Sequence, residues 1–487
     1  MTFLSRHTGL LSTALLPACL LLASCAHSTT SPQETASRPK AELRTGQTSV
    51  YPIAAMKTSL TRTVLPNGLE VLILPRPDLP LVSFRLGIRA GSASDPRGLA
   101  GTASLAASLL VRGTAGHDTL SLFHDIDQTG GTLEASANRD MTVLSGDSLS
   151  GEAPILLGLA AEMVTSPTFP QGEFDKKKAS VLASLSEEEN HPSPIATELF
   201  YRLVEKGTPY ATPPGGTPAT VKKISRQNLL DFVRLHYRPD HSVLVLAGDL
   251  TPETGLALAK RTFSQWSAPS SSPMVSQPAT FSPSPESGVF LVDKPELRQS
   301  TVFTGTSGIA RKDPSFYNAL VFNMLLGASQ TSTLNRVVRQ KMGLVYYIHS
   351  ALDASPEPGP FIVYFQTYAK NTGKVLDSMH GILGDAIKTA PTPEAVDAIR
   401  RQLVGGFPFL MNTTPKLAQL LLVIWSDGLG YTYFTDYPNQ VAKVTPASVL
   451  AAGQSLLKDK PFVTVVVGPA KALKKAGVTG SAPPPAD

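Results

Sequence analysis

Gly98–Thr114 reads GLAGTASLAASLLVRGT, a stretch that follows Pro96 and Arg97 and carries no charge until Arg112. It lies between two turn signals, SASDPRG before it and RGTAGHD after it. Small and apolar residues recur at helical spacing, which predicts a closely packed core helix. Working outward, LEVLIL (Leu69–Leu74) and VSFRLGIRAG (Val82–Gly91) precede it as strands, the second with Val82, Phe84, Leu86 and Ile88 on one face. A helix near Thr119–Gln128 follows, then two strands within Gly130–Leu149 around an Asn138–Arg139–Asp140 turn. Helical patterns come next at Ala153–Val164, at Gly172–Glu189 and around Ala196–Glu205. SRQNLLDFVRLHY (Ser225–Tyr237) is amphipathic with Ser225 as its N-cap, and SVLVLAGDL (Ser242–Leu250) closes the half as a strand.

The same plan recurs. GVFLVDK and QSTVFTGTSGI read as strands, Pro314–Leu326 and STLNRVVRQKM as helices, VYYIHSALD and GPFIVYFQTYA as paired strands around SPEPG, and FVTVVVG (Phe462–Gly468) as a closing strand. Strands and helices in this order predict an α+β protein of two homologous domains, each a mainly antiparallel sheet with helices packed on one face. The expected domains span 56–266 and 289–473, joined by a Pro/Ser-rich linker at 267–288. Residues 474–487, ending in GSAPPPAD, read as a disordered tail.

With 487 residues, the chain exceeds what one hydrophobic core normally supports. Its net charge of +5 is small for that length, and the densest basic run, DKKK at Asp175–Lys178, is soon answered by Glu187–Glu189. That is the pattern of a solvated helix and excludes a nucleic-acid footprint, which needs a concentrated basic face. Residues 1–24 read as an export signal, with Arg6 before an apolar run from Gly9 to Leu22 too short and too interrupted to span a membrane. Leu22-Ala23-Ser24-Cys25 resembles a bacterial lipobox, which implies lipidation at Cys25; an ordinary signal with an unrelated cysteine is the alternative. Ala26 after the cysteine points to the outer membrane, and residues 25–55 read as a flexible tether that leaves the body facing the periplasm. Cys19 lies in the segment to be removed, so the mature body has no free thiol for a disulfide, a nucleophile or a metal ligand.

Several stretches, in order, carry a resemblance: LPNGLEVLILP, GIRAGSASDPRG, GGTLEASANRDMTVLSG, SPTFPQGEFDKKKASVL, GTPYATPPGGT, LHYRPDHSVLVLAGDL and FNMLLGASQTSTLNRVVRQKMGLVYYIHS. Together they resemble the insulinase/pitrilysin-type zinc peptidases, in the processing-peptidase-like branch, over roughly Thr61 to Val467. Active members carry His-x-x-Glu-His on the helix that corresponds to the opening stretch. The two histidines hold zinc, the Glu activates a bound water, and a distal Glu completes the ligands. Anchored on Gly113–Thr114, the resemblance puts Ser104 and Ser108 at the histidine positions, Ala107 at the base and Ser184 at the distal ligand. None of these suits zinc or proton abstraction, because a serine hydroxyl stays protonated at neutral pH and alanine has no base. The remaining histidines form neither His-x-x-His nor His-x-x-x-His, so the reading is no metal and no cofactor in this chain.

In that branch, the resemblance implies, a subunit without the zinc motif supplies an Arg and a Tyr seven residues apart to hold the substrate. RQKMGLVY places Arg339 and Tyr346 at that spacing; a guanidinium clamps a carbonyl or carboxylate and a phenol adds a neutral donor. Strand addition along GGTLEAS is a second mode of peptide contact, with Glu134 where active members have Asn. The implied function is a catalytically silent subunit that binds an extended peptide and pairs with an HxxEH-bearing subunit, which carries the zinc. The alternative is a peptide-binding or scaffold lipoprotein without a peptidase partner. Serine-hydrolase chemistry has no support: GTSG (Gly305–Gly308) lacks elbow spacing, and SLLK (Ser455–Lys458) stands without companion motifs.

Overall fold

SVLVLAG and VTVVVG, the closing strands of the two halves, are buried at every residue. An uninterrupted apolar strand needs cover on both faces of its sheet, and the architecture supplies it. A computed structural model describes residues 59–267 and 282–485. The expected signal segment, Cys25, the tether and most of the linker lie outside the described residues.

The first half forms strands β1 (Thr61–Val64), β2 (Glu70–Pro75), β3 (Leu81–Ile88), β4 (Thr132–Ala137), β5 (Thr142–Leu149) and β6 (Ser242–Gly248), in the spatial order β1-β2-β6-β3-β5-β4. The second forms β7 (Gly288–Asp293), β8 (Gln299–Ser307), β9 (Val345–Leu352), β10 (Pro360–Tyr368) and β11 (Val463–Gly468), in the order β7-β11-β8-β10-β9. Leaving out β1, the two orders are the same, with the closing strand inserted parallel to the first strand and antiparallel to the second. The duplication read from the pattern is thus a duplication of topology, and β4 and β9 are equivalent edge strands.

Each half's own helices cover one face, as expected; the opposite face is covered by a helix from the other half. Helix Thr414–Ser426 sets Leu417, Ala418, Leu421 and Leu422 against Leu72, Leu74, Val243, Val245 and Ala247 of the first sheet. Helix Pro192–Val204 sets Ala196, Leu199, Phe200 and Leu203 against Phe290, Phe303, Ile362, Val463 and Val465 of the second. Both crossings rest on a glycine in the equivalent strand. A Cβ on Gly87 would stand 2.3 Å from Leu422 Cδ1, and one on Gly305 would stand 3.0 Å from Phe200 Cζ and 2.1 Å from the Phe361 carbonyl oxygen.

Two expectations need correction. The tail expected from Lys474 is pinned: helix Ala470–Lys475 ends at Gly477 (φ +79°), Val478 is buried, and Ser481 exchanges backbone hydrogen bonds of 3.0 and 2.9 Å with Val289 and Leu291. The segment covers the free edge of β7, an edge that would otherwise be open to pairing. The helices expected at Pro314–Leu326 and in STLNRVVRQKM form only in part as α-helix. Phe316–Asn323 is α-helical, while Met324–Ala328 and Asn335–Lys341 take the wider π winding. At the junction, buried Asn323 accepts a 2.6 Å hydrogen bond from Ser350 Oγ through its side chain.

Candidate functional site

Helix Thr102–Leu110 is held at its start by its surroundings rather than by a side-chain cap of its own. The Asp95 carboxylate accepts the backbone N–H groups of Gly101 (2.7 Å) and Ala103 (2.8 Å), and burial pushes its pKa up to about 7 against their pull. Gly101 needs its left-handed φ of +99°, and Gly216 lies so close that a Cβ there would stand 2.2 Å from the Ala100 carbonyl oxygen. Thr220 Oγ1 donates to that same carbonyl at 2.9 Å. The Pro213–Gly216 turn is thereby stitched onto the helix.

Within the helix, every residue except Ser104 and Ser108 is buried. These two sit four apart on one face, as two ligands would. Their hydroxyls are committed elsewhere: Ser104 Oγ donates to Pro214 O at 2.6 Å, and Ser108 Oγ donates back to Leu105 O at 2.9 Å. Ala107 is fully buried. Ser184 is not brought to this face. On helix Gln171–Glu188 it is exposed, whereas Phe174, Val181, Leu182 and Leu185 turn toward the core that contains Ala103, Leu105 and Ala106. The residue count thus lands one position off the inward side, and Leu185 occupies that side. Zinc does not fit here: the site offers two engaged hydroxyls, a methyl and a leucine, with no carboxylate or imidazole.

Among the described residues no group of three or more His, Cys, Asp and Glu is arranged to hold a metal ion. His117 comes nearest, with Nδ1 2.9 Å from Glu162 Oε2 and Nε2 3.2 Å from Asp125 Oδ2. Both ring nitrogens are engaged by carboxylates, so the imidazole ties helix Thr119–Gln128 to helix Ala153–Thr165.

Arg339 and Tyr346 lie on irregularities of their elements. Arg339 is exposed in the π-wound segment Asn335–Lys341, steadied by Gln330 Oε1 at 3.4 Å and Asn335 Oδ1 at 3.5 Å. Tyr346 is 73% exposed on the edge strand β9. Gln366 pairs with Tyr347 and Thr367 with Val345, so Tyr346 is the extra residue of a β-bulge. Bulges re-aim a side chain, and π turns cluster at functional sites. Glu134, also exposed, sits at the equivalent edge, β4.

A polar cluster that the sequence reading did not find braces β9 and β10 against the first half. Tyr201 Oη donates to Asp353 Oδ2 at 2.5 Å, Tyr210 Oη donates to Asp140, and the Arg139 guanidinium lies 4.3 Å from the Tyr201 ring centroid. Glu205 is fully buried beside them, and burial pushes its carboxyl up to about 7. The Tyr201–Asp353 pair alone spans 152 positions, so no local pattern could have joined the cluster.

Two family models match the chain: Insulinase (Peptidase family M16) over residues 71–217, and Peptidase M16 inactive domain over residues 223–403. An uncharacterized zinc protease of Streptomyces coelicolor is 24% identical over 450 residues, covering 91% of this chain and 96% of its own. One from Rickettsia bellii is 26% identical over 313 residues, covering 64% and 74%. Among solved structures, a peptidase M16 inactive domain from Pseudomonas fluorescens superposes with a TM-score of 0.78 at 25% identity, covering 87% of this chain and all of its own. A protease from Helicobacter pylori also gives 0.78, at 19% identity, covering 84% and 99%, a likeness of fold.

Proposed function

Because this chain belongs to the insulinase family of M16 peptidases, yet presents serine hydroxyls and an alanine where that family's resemblance calls for ligands and base, we propose that it is a catalytically silent, peptide-holding subunit. In this reading it pairs with an HxxEH-bearing subunit that carries the zinc, and together they form a periplasmic metallopeptidase. The observation that carries the proposal is the face of helix Thr102–Leu110, where the two accessible side chains, Ser104 and Ser108, are hydroxyls bonded to backbone carbonyls.

Arg339 and Tyr346 support the peptide-holding role. A guanidinium held loosely by two amide oxygens retains donors for a substrate carbonyl or carboxylate, and a bulge-borne phenol adds one more. The edge of β9 beside them has unpaired backbone groups of the kind that accept an extended chain as an added strand. Lipidation at Cys25 and attachment to the outer membrane belong to the same proposal. The deciding experiment mixes the purified chain with an HxxEH-bearing chain encoded beside it. Copurification, with peptide hydrolysis arising only in the mixture, is the expected result. Stoichiometric zinc in the isolated chain, or a partner whose activity is unchanged on mixing, would overturn the reading.

A further inference from the structure

The DKKK run is more than a solvated helix face. Its last residue, Lys178, turns inward and donates to the carbonyl oxygens of Lys222 (2.8 Å) and Ile224 (2.7 Å), at the end of helix Pro218–Lys223. Beside it, the Arg226 guanidinium donates to the carbonyl oxygens of Thr168 (2.6 Å) and Phe169 (2.7 Å). Between them lies a depression of about 510 Å³, with Phe174 and Ile224 among its buried lining residues and Lys178, Lys222, Lys223 and Arg226 as its cations.

No carboxylate lines this depression, and none of its four cations forms an ion pair among the described residues. Nearby cations are treated differently: Lys176 pairs with Glu173 at 3.0 Å, and Arg234 with Asp231 at 2.8 Å. Carbonyl oxygens fix Lys178 and Arg226 in place without neutralising them, so two positive charges are pre-positioned and the exposed Lys222 and Lys223 add two more. Four cations lining one depression with no carboxylate among its lining residues favour an anion that can meet several donors at once. A phosphate group does so, with three or four acceptor oxygens around one centre. The depression is open to solvent, so a phosphate held there can carry outward the group to which it is esterified.

We propose that this depression is a binding site for a phosphate-bearing anion, independent of the peptide-holding face. The chemistry is shared by a soluble phosphate ester and an anionic phospholipid headgroup, and the test separates the two. Full-length protein carrying Cys25→Ser, so that no lipid on that cysteine anchors it, is titrated with glycerol 3-phosphate and separately co-sedimented with phosphatidylglycerol vesicles, with phosphatidylcholine vesicles as control. Lys222→Gln/Lys223→Gln is compared with Lys370→Gln/Lys374→Gln, which removes the same charge elsewhere. Saturable glycerol 3-phosphate binding that weakens at least tenfold only in the first pair supports the site with a soluble ligand. Phosphatidylglycerol binding alone, lost only in the first pair, supports it with a lipid ligand. Binding in neither arm, equal loss in both pairs, or equal displacement by a poly-glutamate peptide of matched charge overturns the proposal.

Discussion

The two halves share their strand order, their inserted closing strand and a glycine under a helix from the other half, yet they treat their polar side chains in opposite ways. In the first half the hydroxyls of helix Thr102–Leu110 are turned onto backbone carbonyls, and its start is clamped by Asp95, Gly216 and Thr220. In the second half Arg339 and Tyr346 stand out from a π turn and a bulge with few internal contacts. A polar group already satisfied by its own fold contributes to packing, while one left facing solvent on an irregular element can still serve a ligand. The fold was duplicated, and under the proposed function the side chains that hold a peptide belong to the second copy.

The largest effect should come from filling the two pinch glycines. On Gly305 the new Cβ meets the Phe361 carbonyl oxygen at 2.1 Å, and backbone can yield only by distorting the sheet. On Gly87 it meets the tip of Leu422, a side chain that can rotate away. Gly305→Ala should cost about 3 kcal/mol and Gly87→Ala about 1 kcal/mol in urea unfolding, the upper and lower parts of the range for overpacking. Equal losses would show that the backbone contact at Gly305 yields as easily as the Leu422 tip, against what the geometry implies.

A smaller effect distinguishes the two edges. Arg339→Ala should weaken binding of an extended peptide about tenfold, close to the value of one charge-assisted hydrogen bond. Glu134→Gln on β4 should change it less than twofold. The reverse ranking, measured by fluorescence anisotropy with a labelled peptide, would move substrate recognition to the first half.

Next comes the junction that braces β9 and β10. Burial raises the Glu205 carboxyl to about 7, so the folded state binds its proton more tightly than the unfolded chain, where an ordinary Glu titrates near 4.3. Its stabilising contribution is complete below about pH 4 and is lost as pH rises through 7. Asp95 and Asp427, also raised by burial to about 7, act in the same direction. The melting temperature should fall by about 1 °C between pH 5 and pH 8 for each kcal/mol so lost. Glu205→Gln should flatten part of that slope; an unchanged slope would remove Glu205 from the account.

Much of this was legible in the sequence because it depends on local pattern. Alternating residues placed the strands, and the ordered stretches of the resemblance placed the halves. The second covered face was not read: the sequence pattern predicted helices on one face only, and Leu422 over Gly87 and Phe200 over Gly305 are contacts between distant segments that no local pattern reports. Spacing alone placed Ser104 and Ser108 on a shared face of one helix. It failed across two, because a count over some 76 residues carries no information about helical phase, so that Ser184 faces solvent and Leu185 faces inward. The bulge under Tyr346 was also hidden, since it reflects the pairing register of β9 with β10 rather than any residue type.

The smallest effects test whether the first half's helix is now only packing. Ser104 Oγ bonds to Pro214 O across 110 residues of chain, so Ser104→Ala breaks a tie between the helix and the turn over its start and should cost about 1 kcal/mol. Ser108 Oγ bonds within its own helix to Leu105 O, a contact that competes with helical geometry, so Ser108→Ala should stay within about 0.5 kcal/mol and could stabilise slightly through alanine's higher helix propensity. Neither change should alter peptide binding or the activity of a reconstituted complex. If Ser108→Ala removed that activity while leaving unfolding unchanged, the hydroxyl would be serving substrate rather than structure, and the contrast between a packed first half and a recognising second half would not hold.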